Sequence, residues 1–315
     1  DDITLTNLTA ATTVIATSVG AVTSGGTNMG AAATITATAA TYAATDVIAD
    51  SSATDNDVFT ITTTDDEDLT GTIAGIETVN VNLVQFTNLS FALDVGGVAA
   101  NTAINVDNTQ AGNSTTVLAM AGVATGTNVT ISDDFSTSTV TADNNAAITV
   151  NVQNTDSTLN AVATTGAMTS LIVNTAGDVD LDVTGGDLDG TLTLVSQADA
   201  DIQAADATSV NITSVDETVL TDIDAATTAT ISSTGTAAAA SSLVTAAALT
   251  TLNISGNGAA NYMTVAAGQA ALTAINISGD QNVEVVLAGT DHDSAASDAF
   301  MEQSDLEDSS CSNLS

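Results

Sequence analysis

One feature of this sequence restricts its fold more than any other: a seven-residue pattern that recurs along most of the chain. The segments align without gaps, and successive starts lie 18 to 25 residues apart. This spacing is typical of one turn of a β-solenoid and is too irregular for a coiled coil. The segments are IETVNVN (76–82), NTAINVD (101–107), GTNVTIS (126–132), AITVNVQ (147–153), MTSLIVN (168–174), DGTLTLV (189–195), ATSVNIT (207–213), ATTATIS (226–232), LTTLNIS (249–255) and LTAINIS (272–278).

Each segment alternates in polarity. Its fourth and sixth positions are apolar, as in Val79 and Val81, and the position between them is Asn or Thr in all segments except one, which has Ile172. Because side chains of a strand point alternately to opposite faces, the apolar pair is predicted to face inward and the Asn or Thr outward. Stacked segments would then form outward Asn and Thr ladders about 4.8 Å apart that hydrogen-bond along the solenoid axis.

A second short strand follows several segments, at 178–186, 261–268 and 281–289, so each turn is predicted to contain at least two strands. The sequence therefore favours an all-β, right-handed parallel β-solenoid of about ten rungs. An antiparallel array of β-sandwiches with hairpins of similar spacing is the rival interpretation.

The repeat divides the chain into three predicted regions. Residues 76–290 form the solenoid, and 1–75 form an N-terminal β-rich cap or part of a neighbouring module, with strands at 3–9, 32–42 and 58–64. An acidic C-terminal tail, 291–315, follows. The alanine-rich stretch 236–249 has helical propensity, which favours a short helix between rungs.

Charge excludes several classes of function. The 315 residues contain no Lys or Arg and 38 acidic residues, for a formal net charge of −38 at pH 7. Nucleic-acid binding is excluded because no side chain can neutralise a phosphate. No apolar stretch approaches the roughly 20 residues of a membrane span, so no membrane insertion is expected. Hydrophobic residues nevertheless make up 44% of the chain, enough for a core.

The rung sequences GIETVNVNL, LTTLNISGNG and AGQAALTAINISGDQ resemble calcium-dependent bacterial surface-layer proteins related to the repeats-in-toxin secreted family. The resemblance covers about residues 71–290. It implies a parallel β-solenoid, secretion to the cell surface or beyond, and lateral assembly through Ca²⁺. The glycine-rich calcium motif of that family is only approximated, by GGDLDG at 185–190, which favours calcium between Asp-rich turns over calcium columns inside the rungs.

Clustered carboxylates are the candidate metal ligands. Hard oxygen ligands in turns suit Ca²⁺, which takes six to eight of them from carboxylates, carbonyls and water. Carboxylates cluster in sequence at Asp46, Asp50, Asp55 and Asp57, and at Asp199, Asp201 and Asp206, but these two clusters are not among the predicted ligands. The predicted ligands are Asp65, Asp66 and Asp68, then Asp133 and Asp134, and then Asp178, Asp180, Asp182, Asp187 and Asp189.

Catalytic signals are weak. The single histidine, His292, has no second imidazole or thiolate near it in sequence, and the single cysteine, Cys311, allows no intrachain disulfide. We therefore do not expect this protein to be an enzyme. We expect an extracellular structural protein, a subunit of a surface layer, sheath or matrix filament that is assembled from like subunits through Ca²⁺. A cell-surface polysaccharide is a further expected partner. The alternatives are an adhesin or an ice- or surface-binding module, suggested by Thr-rich strands, and a polysaccharide hydrolase using paired aspartates.

Overall fold

The structure is a computed structural model, and strands are its only regular secondary structure in the described residues. The parallel strands stack as a β-solenoid of about nine turns, close to the ten rungs predicted. The described residues are 3–5, 13–15, 22–24, 34–42, 46–49, 56–84, 90–108, 116–132, 135–153, 156–163, 166–183, 187–235, 239–256, 261–266, 269–278, 283–287 and 301–303.

Strands are numbered in chain order. They are β1 (Ile3–Leu5), β2 (Thr13–Ile15), β3 (Val22–Ser24), β4 (Thr34–Thr38), β5 (Val47–Ala49), β6 (Val58–Thr63), β7 (Glu67–Asp68), β8 (Thr72–Ala74), β9 (Thr78–Leu83), β10 (Ser90–Asp94), β11 (Ala103–Asn108), β12 (Thr116–Val123), β13 (Asn128–Ser132), β14 (Phe135–Ala142), β15 (Ala147–Val152), β16 (Asp156–Ala163), β17 (Met168–Thr175), β18 (Asp178–Val183), β19 (Leu188–Ser196), β20 (Ala200–Ala204), β21 (Ser209–Ser214), β22 (Thr218–Asp222), β23 (Thr228–Ser233), β24 (Ala239–Thr245), β25 (Thr251–Gly256), β26 (Asn261–Val265), β27 (Ala274–Ser278), β28 (Val283–Leu287) and β29 (Met301–Gln303).

The chain forms two compact units. Unit 1 comprises residues 1–154 and 162–166, and unit 2 comprises 155–161 and 167–315. In each unit the strands of the seven-residue segments pair in parallel to form what we call the repeat sheet. The strands that alternate with them along the chain form the return sheet.

Unit 1 has a repeat sheet in the order β2-β4-β6-β9-β11-β13-β15 and a return sheet in the order β7-β10-β12-β14. A third short sheet, β1-β3-β5-β8, lies in the N-terminal turns. Strand β6, from the region predicted as a cap, pairs with β9 so that Phe59 and Ile61 lie beside Val79 and Val81. The in-register pairing thus extends upstream of residue 76.

Unit 2 has a repeat sheet in the order β17-β19-β21-β23-β25-β27-β29 and a return sheet in the order β16-β18-β20-β22-β24-β26-β28. The second strands predicted at 178–186, 261–268 and 281–289 correspond to β18, β26 and β28. Strand β29, from the predicted tail, pairs with β27.

The predicted inward and outward positions are confirmed by burial and register. Ile104 pairs with Val79 on one side and with Val129 on the other. Leu192 likewise pairs with Leu171 and Val210. All these side chains are almost fully buried, whereas the intervening Asn and Thr side chains remain partly accessible. Burying Val, Ile and Leu between the sheets gives each stacked turn its stabilisation, at about 25 cal/mol per Å² of apolar surface.

The turns between sheets contain two features that the alternation does not show. Inside unit 2, the hydroxyl of Thr175 donates to Gly177 O and contacts Ser196 Oγ at 3.1 Å, so polar side chains line a buried corner. In unit 1, a Cβ on Gly97 would lie 1.6 Å from the carbonyl oxygen of Gly71. Only glycine permits this close approach of successive turns.

One local expectation is wrong. The stretch 236–249 forms no helix in its described residues and instead contains strand β24, which pairs with β22 and β26. Helical propensity is a weak preference, and parallel pairing on both sides of a strand overrides it.

Candidate functional site

The predicted calcium ligands lie in several separate places. Asp65 and Asp66 lie in the turn before β7, and Asp68 ends that strand in unit 1. Asp133 and Asp134 lie outside the described residues, as do Asp50, Asp55, His292, Cys311 and residues 185 and 186 of the GGDLDG motif. Asp187 precedes β19 in unit 2, and Asp189 lies within it, on the repeat sheet.

Among the described residues, six carboxylates group along the return sheet of unit 2 and the turns that lead into it, and we call this group the acidic row. Strand β18 has an exposed, buried, exposed alternation that turns Asp178 and Asp180 outward and buries Val179. Asp182 is half-buried on the same face. The acidic row consists of Asp178, Asp180, Asp182, Asp199, Asp201 and Glu217.

Parallel pairing creates the acidic row. In the register between β18 and β20, Asp180 lies directly beside Asp201. At the corner, the backbone N–H of Asp199 donates to Asp178 Oδ1 at 3.2 Å, and the N–H of Glu217 donates to Asp199 Oδ1 at 2.8 Å. Three successive turns therefore stack carboxylates on one another. The sequence predicted Asp178, Asp180 and Asp182, treated Asp199 and Asp201 as a separate cluster, and missed Glu217.

Burial and then neighbouring negative charge disfavour the ionised form of several carboxylates in this row. Burial, with the neighbouring charge of Asp180, raises the pKa of Asp182. Burial and then the charges of Asp180 and Asp199 raise the pKa of Asp201. Burial and the charges of Asp199 and Asp201 raise the pKa of Glu217. Each shift means that the ionised row is under strain that a bound cation or proton would relieve.

The acidic row does not form an enclosed cage. No group of three or more His, Cys, Asp or Glu side chains in the described part of the chain is arranged to hold a metal ion. Neighbouring strands of a sheet lie about 4.8 Å apart and outward residues of one strand about 7 Å apart, so a flat row offers an ion few oxygens at once. The remaining oxygens of a Ca²⁺ ion bound there would come from water or from another molecule.

A second acidic patch lies on the return sheet of unit 1. Asp66, Glu67, Asp68 and Asp94 border a shallow groove of about 400 Å³ whose floor includes alanine side chains. Asp66 Oδ1 accepts a hydrogen bond from the backbone N–H of Ala92 at 2.8 Å. The predicted ligands Asp66 and Asp68 therefore lie on one groove.

Glu67 is the most perturbed carboxyl of this patch. Its Oε2 atom is buried without a hydrogen-bond partner, and burial raises its pKa to about 7. The buried Tyr42 hydroxyl lies near the same carboxylates. Burial, followed by the charges of Asp46, Asp68 and Glu67, raises the pKa of Tyr42 well above its ordinary value.

The outward face of the repeat sheet of unit 2 contrasts with the acidic row, and we call it the neutral ladder. It consists of three columns of side chains in register on β17 to β27, and none is charged. The edge strand β29 ends this neutral region, because its Glu302 is in register with Asn276 of the central column. Asp189 lies outside these columns, at the start of β19. The columns are Ser170, Thr191, Ser209, Thr228, Thr251 and Ala274; Ile172, Thr193, Asn211, Thr230, Asn253 and Asn276; and Asn174, Val195, Thr213, Ser232, Ser255 and Ser278.

The predicted hydrogen bonding along such ladders is present in both units. In unit 2, Asn253 Nδ2 donates to Thr230 Oγ1 at 3.3 Å. In unit 1, Asn105 Nδ2 donates to Asn80 Oδ1 at 2.9 Å. Among the described side chains of unit 1, the corresponding face carries one carboxylate, that of Asp107. The sequence contains eight N-x-S/T glycosylation sequons. Those at Asn128, Asn211, Asn253 and Asn276 lie on these ladder faces, and those at Asn7, Asn88, Asn113 and Asn313 lie outside the described residues.

No family model, curated protein or solved structure matches the chain. The resemblance to surface-layer proteins therefore stays an expectation from the rung sequences. In the part of the chain that the structure describes, no helix has the length and apolar character needed to cross a membrane.

Proposed function

We propose that this protein is an extracellular structural protein, a subunit of a surface layer, sheath or matrix filament that assembles through Ca²⁺. The observation that supports the proposal is the segregation of charge in unit 2, where carboxylates stack on the return sheet and the three ladder columns on β17 to β27 of the repeat sheet have none. A cation-dependent building block needs both kinds of surface: one that responds to ions and one that tolerates close contact.

Charge balance supports the cation dependence. The chain has 38 acidic residues and no Lys or Arg, so countercharge must come from solution. A divalent ion at the acidic row would offset the repulsion between Asp180 and Asp201, which lie side by side. Because the row supplies few oxygens to one ion, carboxylates from a second copy are suitable additional ligands, and such sharing would join subunits.

The fold supports a mechanical role. Parallel pairing on both sides of most strands and ladder hydrogen bonds along the axis make a regular stacked body. Stacked turns of this kind form elongated, repetitive surfaces suited to lateral association.

An adhesin or an ice- or surface-binding module is the second candidate. The neutral ladder favours it because hydroxyl and amide groups recur at the regular spacing of stacked strands. A polysaccharide hydrolase has less support. Asp180 and Asp201 are exposed on an open sheet face, whereas hydrolysis by paired carboxylates requires them to flank a bound sugar.

A calcium titration tests the proposal. Purified protein in low-salt buffer is monitored by light scattering while CaCl₂ is raised to millimolar concentration, and a chelator is then added. We expect particle mass to rise with Ca²⁺ and to fall with the chelator, and Mg²⁺ at equal concentration to be much less effective because it dehydrates reluctantly. Protein that stays monomeric throughout would contradict the proposal and favour a solitary adhesin or surface-binding module.

A further inference from the structure

The charge distribution of unit 2 also indicates where two copies come into contact. We infer that the neutral ladder is a self-association surface and that its occupant is the same surface of a second copy of this chain. The inference rests on the proposed function and specifies one interface of the assembly.

Electrostatics selects this face. Two copies that each carry a net charge of −38 repel one another, and the repulsion is greatest where carboxylates would meet in a dehydrated contact. The ladder columns on β17 to β27 bring no carboxylate to such a contact. Outward strand positions are where a chain with so many acidic residues would ordinarily place them, as it does on β18 and β20.

The chemistry of the ladder suits a self-complementary contact. Its hydroxyl and amide side chains both donate and accept hydrogen bonds, so two identical faces can pair without an unmatched charge. Its hydrogen bonds along the axis, such as that from Asn276 to Asn253, hold the amides in fixed orientation before association. Ile172 is 38% exposed at one end of the central column and adds apolar surface that association would bury.

The size of the face indicates how strong the contact is. Six strands about 4.8 Å apart, with five residues of about 3.3 Å each, give a plane of roughly 400 Å². A stable pair usually buries about 800 Å² on each partner. One ladder contact is therefore weak, and it becomes effective when a second contact, Ca²⁺ shared between acidic rows, acts with it. Two different self-complementary surfaces on one subunit produce an open polymer in place of a closed dimer.

Ser232→Asp tests the interface. Ser232 lies in an outer column of the neutral ladder, between Thr213 and Ser255, and remains partly accessible. Facing copies would each bring the new carboxylate to the contact. We expect Ser232→Asp to raise the protein concentration needed for calcium-dependent assembly at least tenfold, as measured by sedimentation velocity. Ser232→Asn, which introduces an uncharged side chain of the same size as Asp, should assemble as wild type.

Thr264→Asp is the matched charge control. Thr264 is exposed on β26 in the return sheet, in register with the uncharged residues Ser242 and Val286 on the neighbouring strands. We expect this variant to assemble as wild type. Loss of assembly in Thr264→Asp but not in Ser232→Asp would assign the contact to the return sheet and overturn the inference, and equal losses would do the same by indicating a general charge effect.

Separate controls distinguish a failure of the interface from an unfolded variant and from a failure of the proposed function. Circular dichroism and melting curves must match wild type in each variant, and Thr228→Asp, on the same ladder, replaces Ser232→Asp if that variant is unfolded. Wild-type assembly that Ser232→Asp leaves unchanged would overturn the interface alone. A wild-type chain that never assembles but binds an insoluble polysaccharide would overturn both the interface and the proposed function.

Discussion

Asn276 donates a hydrogen bond from its side-chain Nδ2 to Oδ1 of Asn253, 23 residues earlier, at 2.8 Å. The two residues occupy the same position in successive turns, and Asn253 in turn donates to Thr230. One side chain thus links three turns of the solenoid. This bond is the smallest unit of the neutral ladder and fixes the orientation of its amides.

Neighbouring positions on one strand should respond in opposite ways to the same substitution. Ile254 is 5% exposed and pairs with Ile231 and Ile277, so Ile254→Asp buries an unpaired charge and should abolish folding. Asn253→Asp keeps an acceptor for Asn276 and loses one donor, which should cost about 1 kcal/mol. Urea denaturation measures both, and similar effects would mean that the inward and outward faces are misassigned.

Two adjacent glycines should differ in their tolerance of a methyl group. In Gly97→Ala the new Cβ would lie 1.6 Å from the backbone oxygen of Gly71, which separates successive turns at a cost of about 1–3 kcal/mol or more. In Gly96→Ala it would meet only the side-chain oxygen of Asp94 at 3.1 Å, which can move. Thermal unfolding should therefore show a large loss for the first and a small change for the second. The reverse order would contradict the stacking of these turns.

Glu67 should make stability depend on pH. Its pKa is raised from 4.5 to about 7 in the folded state because the carboxyl is buried. The folded state therefore holds the proton more tightly than the unfolded state, and this contribution to stability is complete below about pH 4.5 and lost as pH rises through 7. Relative to wild type, Glu67→Gln should gain stability as pH rises from 5 to 8.

The control for Glu67→Gln is Asp189→Asn, which removes one charge from an exposed position in unit 2. Its stability difference from wild type should change little over the same pH range. Parallel stability curves for wild type and Glu67→Gln, measured by chemical denaturation at each pH, would show that Glu67 does not titrate as described.

Removing two carboxylates from the acidic row should reproduce part of the stabilisation that calcium gives the protein. Asp180→Asn combined with Asp201→Asn removes a pair of like charges on adjacent strands, which should stabilise the calcium-free protein by about 0.2–1 kcal/mol at low salt. The rise in melting temperature on adding Ca²⁺ should shrink correspondingly. Asp143→Asn combined with Asp189→Asn, two exposed carboxylates outside the row, should leave the calcium response intact. An unchanged response in the first variant would place the calcium effect elsewhere.

The alternation of apolar and polar residues by itself determined the repeat sheet. Inward pairs such as Leu192 and Leu194 could be recognised because burial in a strand requires period two, and each segment repeats the same pattern. The segment containing Phe59, Thr60 and Ile61 has the same alternation, so the sequence signal of the repeat sheet also occurs upstream of residue 76. The buried Ser and Thr residues that end several repeat strands of unit 2, such as Ser196, carry no comparable signal, because Ser and Thr are common throughout the chain.

The proximity of the carboxylates was decided only by the tertiary structure. Asp178, Asp199 and Glu217 are about twenty residues apart, and their contact depends on how each turn of different length returns to the sheet. The apolar pattern specifies which face a residue occupies but not its partner on the next return strand, because the corners between sheets vary in length. The formation of strand β24 also depends on tertiary structure, because pairing with β22 and β26 outweighs the helical propensity of alanine.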